Sequence, residues 1–321
     1  MVAHTDDSGP QAMDLRLVRV PDMDHHHGAR RHVYLNNGGY PRLVTHERGP
    51  GYKPVHGQHE SMVLGSIPQV SHTYGYWDQD YGLLNSVGLG IAETTCGAKT
   101  AGWPSSTLGG HNMWSIRELS KVALERCETA RCAIKLMGAL AEEHGFYGDD
   151  VGPFGAPVYI GSSEALSISD RKGEAWVFHI MTGDQNRSAI WVAQRVPDDE
   201  VSVIPNGFVI RQINLKDPDN FLGSRNVISY ARDRGWWDPK DGEFDFTAAY
   251  APYPTPMPTP LYVGRRIWRV FDLLAPSQQL DPHLGWGPKH PTYPFSIKPD
   301  RKIDAHTIMS ILRDYYEGTE F

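Results

Sequence analysis

Cysteine is scarce in this chain: Cys96, Cys127 and Cys132 are the only three in 321 residues. No two share CxxC spacing, and so sparse a set does not read as a disulfide framework. It is compatible with a reducing compartment; the compartment stays open, with the cytoplasm favoured. Basic runs are missing too. The formal net charge is −7, and without a cationic patch nucleic acid drops out as an expected partner. No apolar stretch approaches the roughly 20 residues of a membrane span, so no membrane partner is expected. Met1 to Gly9 has neither the basic start nor the apolar stretch of a signal peptide.

What is present is a globular balance: 40% hydrophobic and 21% charged residues, over a length that allows a sizeable core. Apolar and polar residues alternate from Asp14 to Val20, predicting a strand. Two more strands are predicted at Tyr81–Asn85 and Gly88–Thr94, joined by a tight connection. One long helix is predicted from Ile116 to His144, with Ser115 as its cap, Glu118 completing a capping box, and Gly145 as its stop. Its apolar stripe includes Cys127 and leaves out Cys132. Strand patterns follow at Ala165–Ser169, Glu174–Ile180, Ser188–Val196 and Val201–Ile213, linked by turn residues such as Asp170-Arg171-Lys172-Gly173. Helices are predicted within 218–237, over Arg265–Leu274, and from Asp304, as cap, to Tyr316. A meander of strands with separate helices argues α+β rather than a doubly wound sheet.

Chemistry-bearing residues are plentiful but poorly arranged in sequence. His25, His26, His27 and His32 are metal-ligand types in a loop where adjacent rings converge badly, and no second cluster has metal-site spacing. His56-Gly-Gln-His59-Glu60 holds the ingredients of a zinc motif in the wrong order, beside Pro54 and Gly57, so a solvated loop is expected. No metal or cofactor is therefore expected. Among the thiols, Cys127 fits core packing, and Cys96, in a polar Thr-Thr-Cys-Gly segment, is the one worth testing as a nucleophile. These signals alone reach no function.

Several segments together do. They are Ala3-His-Thr-Asp-Asp-Ser-Gly9, Leu83-Leu-Asn-Ser-Val-Gly-Leu-Gly-Ile-Ala-Glu-Thr-Thr-Cys96 and the Glu118–Ile134 stretch. Glu174-Ala-Trp-Val-Phe178, Trp191–Asp199, Arg265-Arg-Ile-Trp-Arg-Val-Phe271 and Arg313–Thr319 follow in order. In order and spacing they resemble the dipeptidase-A-type cysteine dipeptidases, which include secernin-like proteins and belong to the N-terminal-nucleophile hydrolases. The resemblance implies a four-layer αββα sandwich formed by one catalytic domain over residues 1–321. It implies dipeptide substrates and an acyl-enzyme mechanism with no cofactor; homo-oligomers are expected on a separate ground, since a missing edge strand uncovers apolar surface and an unpaired edge. In that class the nucleophile is the chain's first residue, and its own α-amine, with an ordinary pKa near ~8, is the general base.

Carried over by position, Asp7 is expected to orient the nucleophile's amine, and Asn206 matches an active-site Asn. Thr95 lies near the oxyanion-hole position, where a hydroxyl would donate. Arg266 matches a late active-site Arg, with Arg269 as its rival. His4 stands where acylase relatives have Arg. The departure is at the start: the family's Cys begins a strand ahead of the Asp7 segment, and here that segment begins at Met1. The expectation is a partial sequence, lacking the nucleophile strand and a C-terminal part, and inactive as written. The other reading is a complete, non-catalytic binding or scaffold protein.

Overall fold

The computed structural model describes residues 1–5, 14–36, 39–148, 162–184, 187–252, 261–284 and 293–321. The first strands are β1 (Val18–Val20), β2 (Met23–Asp24), β3 (Arg30–Tyr34), β4 (Val63–Pro68), β5 (His72–Thr73), β6 (Tyr76–Asp78), β7 (Gly82–Asn85) and β8 (Gly90–Gly97). Helices α1 (Ile116–Arg126) and α2 (Ala130–His144) come next, then β9 (Ser162–Ser169), β10 (Ala175–Thr182), β11 (Ala189–Val196) and β12 (Phe221–Gly223). Helices α3 (Val227–Asp233), α4 (Phe246–Tyr250), α5 (Leu261–Leu274) and α6 (Ala305–Ile311) follow.

The main sheet has eight strands in the order β1-β6-β7-β8-β9-β10-β11-β12, with antiparallel pairing between neighbours. Helices and an antiparallel sheet in one chain make the α+β class. The Asp170–Gly173 turn sets the β9–β10 register, Phe178 opposite Leu166 and Trp176 opposite Ile168. That register puts Ile91, Leu166, Ile168, Phe178 and Trp191 in one core with Leu119, Val122, Ile134 and Met137 of α1 and α2. The opposite face packs Cys96, Ala165, Val177, Ile190 and Val192 against Phe208, Phe246, Ile267 and Phe271. Each such fully buried side chain contributes roughly 1.5–3 kcal/mol. Gly138 lets α2 lie directly on β11: a Cβ there would stand 2.3 Å from the Trp191 ring.

Four expectations change. The single helix over 116–144 is two helices. Cys127 turns extended, and Thr129 starts α2 by accepting a hydrogen bond from the Cys132 backbone N–H. Cys127 and Cys132 form a disulfide across that break, so the reading of both as unpaired thiols is corrected. The stretch 201–213 is not a strand: it carries isolated bridges at Val201 and Gln212. Pro205 has no N–H to give a ladder, and Asn206 adopts φ 57°. Finally, Glu118 completes only half a capping box. Its backbone N–H donates to Ser115 Oγ, but its buried carboxylate pairs with Arg31 and Arg48. Glu125 joins Arg31 in the same buried set. Burial alone would push the Glu118 carboxyl up; the charges of Arg48 and Arg31 outweigh it and hold it well below the ordinary range.

Candidate active site

Strand β7 meets β8 only at Leu84 opposite Gly90. Beyond that pair, the backbone groups of β8 that point away from β9 need other partners, because buried N–H and C=O groups are almost always satisfied. Side chains supply them. The Glu93 N–H donates to His4 Nδ1 at 3.2 Å, and the Thr95 carbonyl accepts from Asn206 Nδ2 at 2.7 Å. The N-terminal residues run along this edge: a Cβ on Gly90 would sit 3.3 Å from Val2 Cγ2.

Asn206 is held from its other side by α5. Arg266 Nη1 donates to Asn206 Oδ1 at 3.0 Å, Nη2 to the Pro205 carbonyl at 2.7 Å, and Nε to the Tyr262 carbonyl at 3.1 Å. The guanidinium lies over the Tyr262 ring, 3.9 Å from its centroid, and the Tyr262 hydroxyl donates to Asn206 Oδ1 at 3.5 Å. A guanidinium can only donate, so the amide oxygen must face it and the NH₂ must face β8. One N–H of that NH₂ serves Thr95; the amide has a second to offer a reacting carbonyl.

Thr95, Asn206 and Arg266 are thus brought together, 111 and 60 residues apart in sequence. Thr95 takes part through its backbone carbonyl, while its hydroxyl donates to Glu93 Oε1 at 2.9 Å. Arg269 does not join them. It forms a two-point pair with Asp314, at 2.7 and 2.6 Å, and donates to the Glu317 carbonyl. Asp7 lies outside the described residues. Tyr262 and Glu93 were missed from sequence. Tyr262 had a readable signal, standing four residues before Arg266 on one helix face.

The cysteines are differently disposed. Cys96 is buried on the opposite face of β8 from Thr95, in the second core. Burial, then the carboxylates of Glu164 and Glu93, push its thiol well up, with Arg266 opposing weakly, so it is protonated at neutral pH and a poor nucleophile. Cys127 and Cys132 are spent in the disulfide. Among the described residues no three His, Cys, Asp or Glu side chains gather as an ion site, and no helix is long and apolar enough to cross a membrane.

Comparison with known proteins bears on this edge-of-sheet cluster. The model of peptidase family C69 matches residues 55–321, which include Thr95, Asn206 and Arg266. A probable dipeptidase of Salmonella dublin is 29% identical over 242 residues, covering 74% of this chain and 48% of the relative. A probable dipeptidase B of Streptococcus pyogenes serotype M1 is 22% identical over 302 residues, 94% of this chain and 54% of the relative. A probable dipeptidase of Latilactobacillus sakei is 24% identical over 210 residues, 63% of this chain and 37% of the relative. The chain spans about half the length of the curated relatives it matches. With the family pattern running through more than half of its residues, the chain belongs to peptidase family C69.

Proposed function

We propose that this chain carries the substrate-binding and orienting part of a cysteine-type dipeptidase site, within one catalytic domain over residues 1–321. The observation that carries the reading is the meeting of Thr95, Asn206 and Arg266 at the open edge of β8, in a family whose relatives are named dipeptidases. The α1–α2 layer on the main sheet supports two layers of an αββα sandwich; the other two belong to the proposal.

In this reading a thiolate attacks the carbonyl carbon of the dipeptide's amide, forming a C–S bond. The second N–H of Asn206 donates to the oxyanion as it develops. The nucleophile's α-amine takes the thiol proton and passes it to the leaving amine as the C–N bond breaks. Water then hydrolyses the thioester. Asp7 orients the α-amine, and Arg266 keeps the Asn206 amide turned correctly. The attacking thiol is not one of this chain's three. One is buried and protonated, and the other two are joined. That same observation favours a second reading, a dipeptide-binding protein without catalysis.

Incubating the purified 321-residue chain with Ala-Ala tests this. Calorimetry is expected to show binding, and chromatography no released alanine. Hydrolysis sensitive to a thiol reagent would overturn the placement of the nucleophile. A folded chain that binds no dipeptide would overturn the dipeptide reading itself.

A further inference from the structure

Helix α5 offers two consecutive arginines, and among the described residues only one has its hydrogen-bonding edge in use. Arg266 has its face on the Tyr262 ring and its edge on Asn206 and Pro205. Arg265 has the same half of that arrangement: its guanidinium lies over the Phe321 ring, 3.8 Å from the centroid. Its Nε is buried with no hydrogen-bond partner, and no ion pair is formed by it among the described residues. The contrast with Arg269, which binds Asp314 at two points, shows that α5 does not leave its arginines unpaired by habit. Stacking fixes the plane of a guanidinium while leaving its N–H fork open, the geometry that receives a carboxylate at two points. A buried donor without a partner is destabilising, a cost that a ligand oxygen would recover.

Arg265 also stands one residue from Arg266 on α5. In a dipeptide the free carboxylate follows the scissile amide within one residue, roughly 4 Å along the chain. A cation that reads it must therefore stand beside the groups that hold the scissile carbonyl. Arg265 is the residue next to Arg266, which orients Asn206.

We infer that Arg265 binds the C-terminal carboxylate of the substrate and so sets the limit at dipeptides with a free end. This rests on the dipeptidase reading above and adds the residue that recognises the substrate's end.

Calorimetric titration of the purified chain with Ala-Ala and with its C-terminal carboxamide tests it. The wild type is expected to bind the acid at least about tenfold more tightly than the amide. Arg265→Gln should weaken acid binding about tenfold and leave amide binding unchanged, and Arg265→Lys should recover part of the loss. Arg265→Met, which keeps an apolar stem on the Phe321 ring, should behave as Arg265→Gln and covers the case in which the first variant unfolds. Equal wild-type affinity for acid and amide would overturn the inference. So would discrimination that survives in both Arg265→Gln and Arg265→Met. If the folded wild type binds neither ligand, the dipeptidase reading fails first and this inference falls with it.

Discussion

Asn206 is held in the left-handed region, which Asn tolerates better than other non-glycine residues but still at a cost. Four hydrogen bonds oppose that cost: one from Arg266 to the Asn206 amide oxygen and one to the preceding Pro205 carbonyl, one from Tyr262 and one to Thr95. The arrangement distinguishes the two halves of the amide. The oxygen is structural, since it faces a guanidinium; the nitrogen is the half that can meet a substrate. Asn206→Asp separates them. The new carboxylate keeps Arg266 and strengthens that contact, a charge-assisted pair being worth roughly 1.5–3 kcal/mol. It also removes both N–H donors and faces the Thr95 carbonyl with an oxygen. The expected outcome is a melting temperature within a few degrees of wild type and dipeptide binding at least about tenfold weaker. Binding unchanged in Asn206→Asp would show that the amide N–H does not touch the ligand.

At the scale of elements, features set by neighbouring residues were legible in the sequence, and features set by distant ones were not. Ser115, Asp304 and the Asp170–Gly173 turn act on their own backbone, and all three stand where the pattern put them. The break between α1 and α2 was hidden because the apolar stripe crosses it without interruption. Glu118 read as a cap because its long-range partners, Arg31 and Arg48, lie 87 and 70 residues away. The Thr95–Asn206–Arg266 cluster came from resemblance, not from spacing, for the same reason. The segment holding Asn206 is clipped to the sheet by a residue with no sequence signal at all. His179 of β10 is fully buried, stacked on Phe246 and in tilted contact with Phe208. Its Nε2 accepts the Val209 N–H at 3.1 Å. Burial lowers its pKa from 6.5 to about 3. A folded pKa below the unfolded one means the neutral ring's stability is whole above pH 6.5 and drains away as pH falls toward 3. Between pH 8 and pH 5 the loss is roughly 2 kcal/mol. Glu118, Glu125 and Asp14, also lowered, lose theirs only below their ordinary carboxylate range. Asp78, which burial raises, acts in the opposite direction. In urea melts at pH 8 and pH 5, the stability lost toward pH 5 is expected to be greater in wild type than in His179→Gln by about that amount, the Asp78 contribution being common to both. Equal pH dependence in the two proteins would remove His179 from the account.

For the molecule as a whole, the main sheet is covered unevenly. Under α1 the inner faces of β1 and β6 are closed: Val18, Val20 and Tyr76 are buried. On the outer face Leu17, just ahead of β1, is 62% exposed, Trp77 of β6 42% and Leu84 of β7 46%. Register makes these one strip, because Arg19 lies opposite Trp77 and Trp77 opposite Leu84. Leu15, two residues before Leu17, is 76% exposed. Among the described residues β1 is also an end strand of the sheet, with no strand on its other side. A contiguous apolar face beside an unpaired edge is the combination that drives proteins to associate. Arg19 is the one charge in that strip and does not interrupt Leu17, Trp77 and Leu84. The purified chain is therefore expected to self-associate at tens of micromolar, seen as concentration-dependent sedimentation. Leu17→Lys with Trp77→Lys should restore a single species without lowering the melting temperature, since neither side chain is in the core. A wild-type monomer that stays monodisperse at about 100 µM would show that this face is tolerated in water, and the association would have to be abandoned.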